Sequence, residues 1–211
     1  MQGPMRFLLS FLLSVCTGYA AMARPVGFAD SWMAMTMNDG MEHSALAGYS
    51  PTATDYVGLR ADYLREDDAW MTTVNYNRLL KRWNAPGSQA NLFLTSGVGE
   101  AFKSNDQSLA GWVGMEADWE NRRYYVSYEN RFIAASAIDE QFMQRARVGV
   151  APYIAGYNDL HTWLILQVDH RPRSHDQLMV TPLVRLFTTD VLGEAGISTE
   201  GDVLFNLTTQ F

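Results

Sequence analysis

The stretch Asp55-Tyr56-Val57-Gly58-Leu59-Arg60-Ala61-Asp62-Tyr63-Leu64-Arg65 changes character from one residue to the next. Val57, Leu59, Ala61 and Tyr63 make one set, and Arg60 and Asp62 fall in the other. A period of two is the mark of a β-strand, whose successive side chains leave opposite faces. The same alternation recurs at 70–80, 90–100, 109–119, 122–133, 143–153, 160–170, 178–188, 191–198 and 202–211. Turn-forming residues separate these segments, among them Glu66-Asp67-Asp68, Asn84 to Ser88, Ser104-Asn105-Asp106, Asp139-Glu140, Gly156 to Asp159 and Glu200-Gly201. The chain shows no internal repeat and no segment of helical period.

The two faces differ in a way that sets the class. One is apolar throughout, as in Val74 and Tyr76, Leu92 and Leu94, Leu164 and Leu166. The other carries the arginines Arg60, Arg131, Arg145, Arg147 and Arg185 against the acids Asp62, Glu116, Asp118, Glu129, Asp169 and Glu194. A soluble sandwich or barrel turns its apolar face inward, whereas a transmembrane barrel turns it toward lipid. Segments near ten residues match a tilted bilayer-spanning strand, longer than the five or six typical of soluble sheets. The near balance of charge on the polar face suits a closed lumen in which charges must pair. Tyr63, Trp70, Trp119, Tyr124 and Tyr153 fall near segment ends, where aromatic girdles form; Trp163 points inward. The expected fold is all-β, an antiparallel up-and-down transmembrane β-barrel.

Composition agrees. Of 211 residues, 47% are hydrophobic and 18% charged, yet after the first two dozen residues no apolar run approaches the roughly 18 to 20 that a membrane helix needs. Residues 1–23 read as a secretory signal: Arg6, then apolar Phe7 to Val15, then Ala21-Met22-Ala23 as the cleavage site. Val15 before Cys16 speaks against a lipoprotein. Removing that segment takes Arg6 and the lone cysteine, leaving 15 basic and 23 acidic side chains, a net charge of −8. An exported chain without disulfides depends on packing and pairing. The acidic balance, with only Lys81 and Lys103 as lysines, argues against a nucleic-acid partner.

The closing segment Asp202-Val203-Leu204-Phe205-Asn206-Leu207-Thr208-Thr209-Gln210-Phe211 resembles the last strand of bacterial outer-membrane β-barrels. These end in an aromatic residue preceded by apolar residues at alternate positions. Val203, Phe205, Leu207 and Phe211 fit the pattern, and Thr209 is less apolar than usual. The resemblance is one of class and covers residues 55–211. It implies residence in the bacterial outer membrane, contact with its lipid, and recognition of the closing strand by the barrel-assembly machinery. Bacterial barrels of this kind have an even number of strands. Starting at residue 55 gives ten and places Phe211 in the periplasm; eight and twelve are the alternatives. Pro182, on the apolar face of its segment, predicts a bulge.

Ten strands leave residues 24–54 as an N-terminal segment, periplasmic or inserted in the lumen. It contains Met33, Met35, Met37, Met41 and His43, a set of thioethers and one imidazole suited to a soft cation such as Cu(I). The run resembles the Met-rich chemistry of exported copper-handling proteins. Packing offers the other reading, since methionine fills irregular gaps. No catalytic set emerges. His43-Ser44 is the only adjacent pair of base and nucleophile, and neighbours on a strand point opposite ways. Asp67-Asp68, Asp169-His170 and His175-Asp176 loosely resemble the rim residues of ten-stranded outer-membrane proteases, with different spacing and loops too short to build a cleft.

Arg60, Asp62, Glu116, Asp118, Glu129, Arg131, Arg145, Arg147, Asp169 and Arg185 are the expected lumen charges, either a salt-bridged plug or the lining of a small pore. The sequence thus predicts a monomeric outer-membrane barrel with a structural or binding role, linked to soft metal. A narrow channel for small solutes is the alternative, and an exported soluble barrel holding a small apolar ligand is the third.

Overall fold

A computed structural model describes residues 24–156, 159–172 and 177–211. The expected signal segment lies outside the described residues. Twelve strands close into a barrel. They are β1 (Ser31–Asn38), β2 (Glu42–Thr52), β3 (Asp55–Leu64), β4 (Ala69–Ala85), β5 (Ser88–Lys103), β6 (Asp106–Asn121), β7 (Tyr124–Ala135), β8 (Ile138–Val150), β9 (His161–His170), β10 (Leu178–Phe187), β11 (Val191–Ile197) and β12 (Val203–Gln210). Each strand pairs with its sequence neighbours, and β12 returns to β1, with Met33 opposite Gln210 and Asn38 opposite Phe205. The seam extends past β12, because Trp32 and Phe211 exchange backbone hydrogen bonds of 2.7 and 3.0 Å. β1 therefore begins and β12 ends at the same end of the barrel, called here the terminal end.

The strand count corrects the expectation of ten. Residues 31–52 are β1 and β2 of the wall, not a segment apart from it. β2 escapes a hydropathy reading because its outward residues include Ala45 and Ala47 and its inward ones Ser44, Gly48 and Ser50, so small side chains mute the alternation. Asp139-Glu140, expected in a turn, lies within β8. The bulge expected at Pro182 is absent. Pro182 stands in unbroken register opposite Leu166, and the β10 to β11 ladder begins only at Leu183, so the missing N–H falls where that ladder ends. Register shifts occur instead between Tyr49 and Thr52, Leu79 and Lys81, and Ile133 and Ala135.

The outward face is the apolar one: Leu59 is 62% and Leu109 80% exposed, while Asp62 and Gln167 are fully buried inside. This is the inverse of a soluble barrel and overturns that reading. Trp32, Trp119, Tyr124, Tyr153 and Phe211 ring the terminal end on the outside, and Trp70, Phe102 and Phe142 the far end. Val203, Phe205, Leu207 and Phe211 all face outward.

Inside, three apolar clusters frame the polar residues. Leu64, Met71, Trp112, Ile133 and Met143 pack near the far end; Val26, Met33, Tyr56, Leu79 and Phe93 near the terminal end; Tyr125, Trp163, Ile165 and Leu183 line the β7 to β10 wall. Tyr56 fits because Gly48 and Gly58 stand opposite each other in the β2 and β3 ladder. A Cβ at Gly58 would lie 2.4 Å from the Tyr56 hydroxyl, and one at Gly48 2.6 Å. The two glycines thus make the seat for a fully buried ring.

Candidate functional site

The charged side chains of the inner face are joined across the lumen as well as along the wall. Near the far end, Arg60 on β3 donates from Nε to Asp62 Oδ1 at 2.7 Å and from Nη2 to Ser44 Oγ at 3.1 Å and Glu42 Oε1 at 3.3 Å. Arg131, on β7, reaches over to bond Glu42 on β2 and lies 3.7 Å from Asp62. In the ring order β2 and β7 are five strands apart, so this bridge spans the bore. Arg145 on β8 donates to Asp169 at 2.5 Å on the neighbouring β9, and to Asp39 at 2.6 Å in the β1 to β2 turn on the opposite side. Its third contact is Glu129 at 3.2 Å. The Arg60 and Arg131 guanidinium groups both lie over the Trp112 ring, at 5.7 and 5.8 Å, and its Nε1 donates to Thr73 Oγ1 at 3.2 Å.

A second network lies along β8 to β12. Arg147 donates to Gln167 at 2.8 Å and pairs with Glu194 at 3.4 Å; Arg185 donates to the same Glu194 oxygen at 2.7 Å, while Asn206 donates to the other at 2.7 Å. The Arg185 guanidinium also covers the Tyr125 ring at 4.7 Å. These are charge-assisted bonds from guanidinium forks, the geometry that fixes orientation best.

Asp118 accepts from Asn91 at 2.8 Å and lies 3.6 Å from Arg24. Glu116 stands apart from both networks. It is directly opposite Glu129 in the β6 to β7 ladder, and no hydrogen bond or ion pair holds it among the described residues. Between the networks lies a cavity of about 140 Å³, with Glu116, Glu129, Arg147 and Met35 among its walls. That volume holds a few water molecules.

All ten lumen charges named from the sequence thus face inward, nine of them with a partner. Sequence reading missed Arg24, Asp39 and Glu42, which supply the cross-lumen contacts. Asp39 and Glu42 sit within the Met-rich stretch, and a polar residue beside turn-forming Asn38 and Gly40 carries no period that would assign it to the lumen.

Of the soft-metal set, the four thioethers come to one cavity and the imidazole does not. Met33, Met35, Met37 and Met41 all border the cavity, but His43 points out of the wall, its ring 6.2 Å from that of Tyr63 and its Nδ1 3.2 Å from Asn38 Oδ1. Met33 is sealed in the terminal-end cluster, where Gln210 Nε2 approaches its sulfur at 3.6 Å. No group of three or more His, Cys, Asp or Glu among the described residues is placed to hold a metal ion.

The catalytic pairs are divided by the wall. His43 faces outward while Ser44 faces inward and donates to Asp62 at 2.5 Å. Asp169 points into the lumen, and His170 points out beside Gln144 at 3.0 Å. Asp68 accepts from the Tyr63 hydroxyl at 2.7 Å, and Lys103 lies 3.8 Å from Asp67. His175-Asp176 lies outside the described residues.

No protein-family model matches the chain, and no curated protein matches it. Among solved structures, the KdgM porin in complex with disordered oligogalacturonate is similar at 10% identity and a TM-score of 0.49, covering 86% of this chain and 98% of that one. The KdgM porin without it gives 10% and 0.48 over the same shares. A loop L8 deletion mutant of OmpT, an outer membrane protein of Vibrio cholerae, gives 9% and 0.32, covering 86% and 98%. At that distance the likenesses say nothing of what this lumen binds or passes. With a closed wall, an apolar exterior and paired charges within, the protein is a small β-barrel of the bacterial outer membrane.

Proposed function

We propose that this protein is a narrow outer-membrane channel for small polar solutes, closed in the present conformation by guanidinium to carboxylate bridges across its bore. The observation that carries the reading is the Arg131 to Glu42 bridge from β7 to β2, with Arg145 to Asp39 beside it. A barrel serving only as a membrane pillar is filled more cheaply by apolar side chains, because buried ion pairs rarely recover their desolvation cost. Here polar and charged groups run from Asp39 at the far end through Glu116 and Glu129 to Glu120 at the terminal end, and the cavity interrupts them midway. Such a path admits solutes of water and ion size when the bridges part. The largely apolar exterior suits a single barrel surrounded by outer-membrane lipid. A soft-metal role is not favoured, since the imidazole lies outside the lumen.

Planar-bilayer recording tests the proposal. The refolded barrel, verified by heat-modifiable gel migration, should give small, brief conductance steps, and Glu42→Gln with Arg131→Gln should make them larger and longer. A folded barrel that stays silent in both forms refutes it.

A further inference from the structure

We propose that residues 24–28 are a strap that closes the terminal mouth of the lumen, with Arg24 as its catch on Asp118 and Glu120; this rests on the channel reading and adds its regulation. β1 starts at Ser31 on the terminal rim, yet the residues before it do not leave the barrel. The chain turns inward at Asp30, whose φ of 60° is the left-handed conformation that non-glycine residues seldom take. Its carboxylate accepts from the Tyr49 hydroxyl at 2.9 Å, and its N–H donates to Ser50 O at 2.8 Å, fixing the hinge to β2. From there Val26 enters the terminal-end apolar cluster with 5% exposure, and Arg24 and Pro25 border the central cavity.

The strap lies outside the sheet ladder. Pro25 O accepts from Asn77 Nδ2 at 2.9 Å, Gly27 N donates to Ser50 Oγ at 3.0 Å, and Arg24 Nη2 donates to Glu120 Oε1 at 2.7 Å while standing 3.6 Å from Asp118 Oδ1. Val26 and side-chain contacts hold it, without the paired backbone that holds each wall strand. The catch is also incomplete. Arg24 Nε and Asp118 Oδ2 are buried without partners, a cost that water removes once the strap swings out. A closed state with unsatisfied polar atoms at its latch, hinged on a left-handed residue, is built to open.

Two measurements test this. In one, Thr208→Cys, a buried position on the cavity wall six strands from the β6 catch, is labelled with a small maleimide, with the catch intact or replaced by Asp118→Asn and Glu120→Gln. Loss of the catch should speed labelling about fivefold, the upper limit expected from loss of one such ion pair. In the other, Gly27→Cys and Ser50→Cys are oxidised together, since a Cβ at Gly27 lies 3.1 Å from Ser50 Oγ, within disulfide reach. The crosslink should suppress conductance, and reductant should restore it. Labelling unchanged by loss of the catch, or, in a barrel that conducts, conductance unchanged by the crosslink, overturns the strap. Faster labelling in a barrel that never conducts upholds the strap and refutes the channel instead.

Discussion

Glu42→Gln removes the carboxylate on which guanidinium groups from two walls converge. Arg131 crosses the bore to reach it, and Arg60 contacts it at 3.3 Å. With Asp62, the four side chains balance two positive charges against two negative; the substitution leaves an excess of one positive charge in a region where Glu42 is 5% and Arg131 11% exposed. Removing one partner of a buried ion pair costs about 3 to 5 kcal/mol. Asp62 stays within 2.7 Å of Arg60 and 3.7 Å of Arg131 and takes over part of the attraction, so the expected loss is at the lower limit, about 3 kcal/mol. Urea unfolding of the barrel in micelles, followed by tryptophan emission and by migration of unboiled samples, measures it. The sharper assay is the cycle of Glu42→Gln, Arg131→Gln and the double variant. Two residues that act through one bridge should show a coupling of about 2 kcal/mol, the double variant being less impaired than the sum of the singles. Additive losses would show that the bridge across the bore does not form, and the closed-channel reading would lose its support.

Other outcomes follow from single contacts. Tyr56→Phe deletes a buried hydroxyl that has no partner, and stability should hold or rise by about 1 kcal/mol in the same unfolding assay; a clear loss would mean the hydroxyl is bonded. Gly97→Ala places a Cβ 2.3 Å from Trp112 Nε1, so the indole must leave its seat against the two arginines, at a cost of about 1 to 3 kcal/mol and with a change in tryptophan emission. Unaltered stability and emission would contradict that seat. Any Ag(I) taken up by the lumen thioethers should be indifferent to His43→Ala, because the imidazole is on the lipid side of the wall; uptake that depends on His43 in a competition titration would overturn the facing of β2.

What was legible in the sequence follows from what period two encodes. Strand direction relative to the wall is a local property, so Val57 and Leu59 go out and Arg60 and Asp62 go in wherever the alternation is strong. β1 carries it too, in Met33, Met35 and Met37, but three thioethers in a row also read as chemistry. β2 shows it only as Glu42, Ser44, Leu46, Gly48 and Ser50 against His43, Ala45, Ala47 and Tyr49, a contrast too faint in hydropathy to separate from a loop. Partner choice was not legible at all. Arg145 could be placed in the lumen from its own strand, but its pairing with Asp39 depends on which strands face each other after closure, and closure depends on the strand count.

That dependence also decides what the lumen is. Around eight strands make a bore that side chains from the wall can fill alone, and the bore widens with every strand added. At twelve, one layer of side chains no longer meets in the middle, and three devices make up the difference. Arginines extend across to carboxylates on the facing wall, Tyr56 and Trp112 lie over glycines that leave room for their rings, and the strap from Arg24 to Phe28 folds into the terminal mouth. The first and third are held by polar contacts that water can replace, whereas the aromatic rings are locked by close contact with backbone. The filling is therefore firm at the wall and exchangeable along the axis, the arrangement that the proposed channel requires.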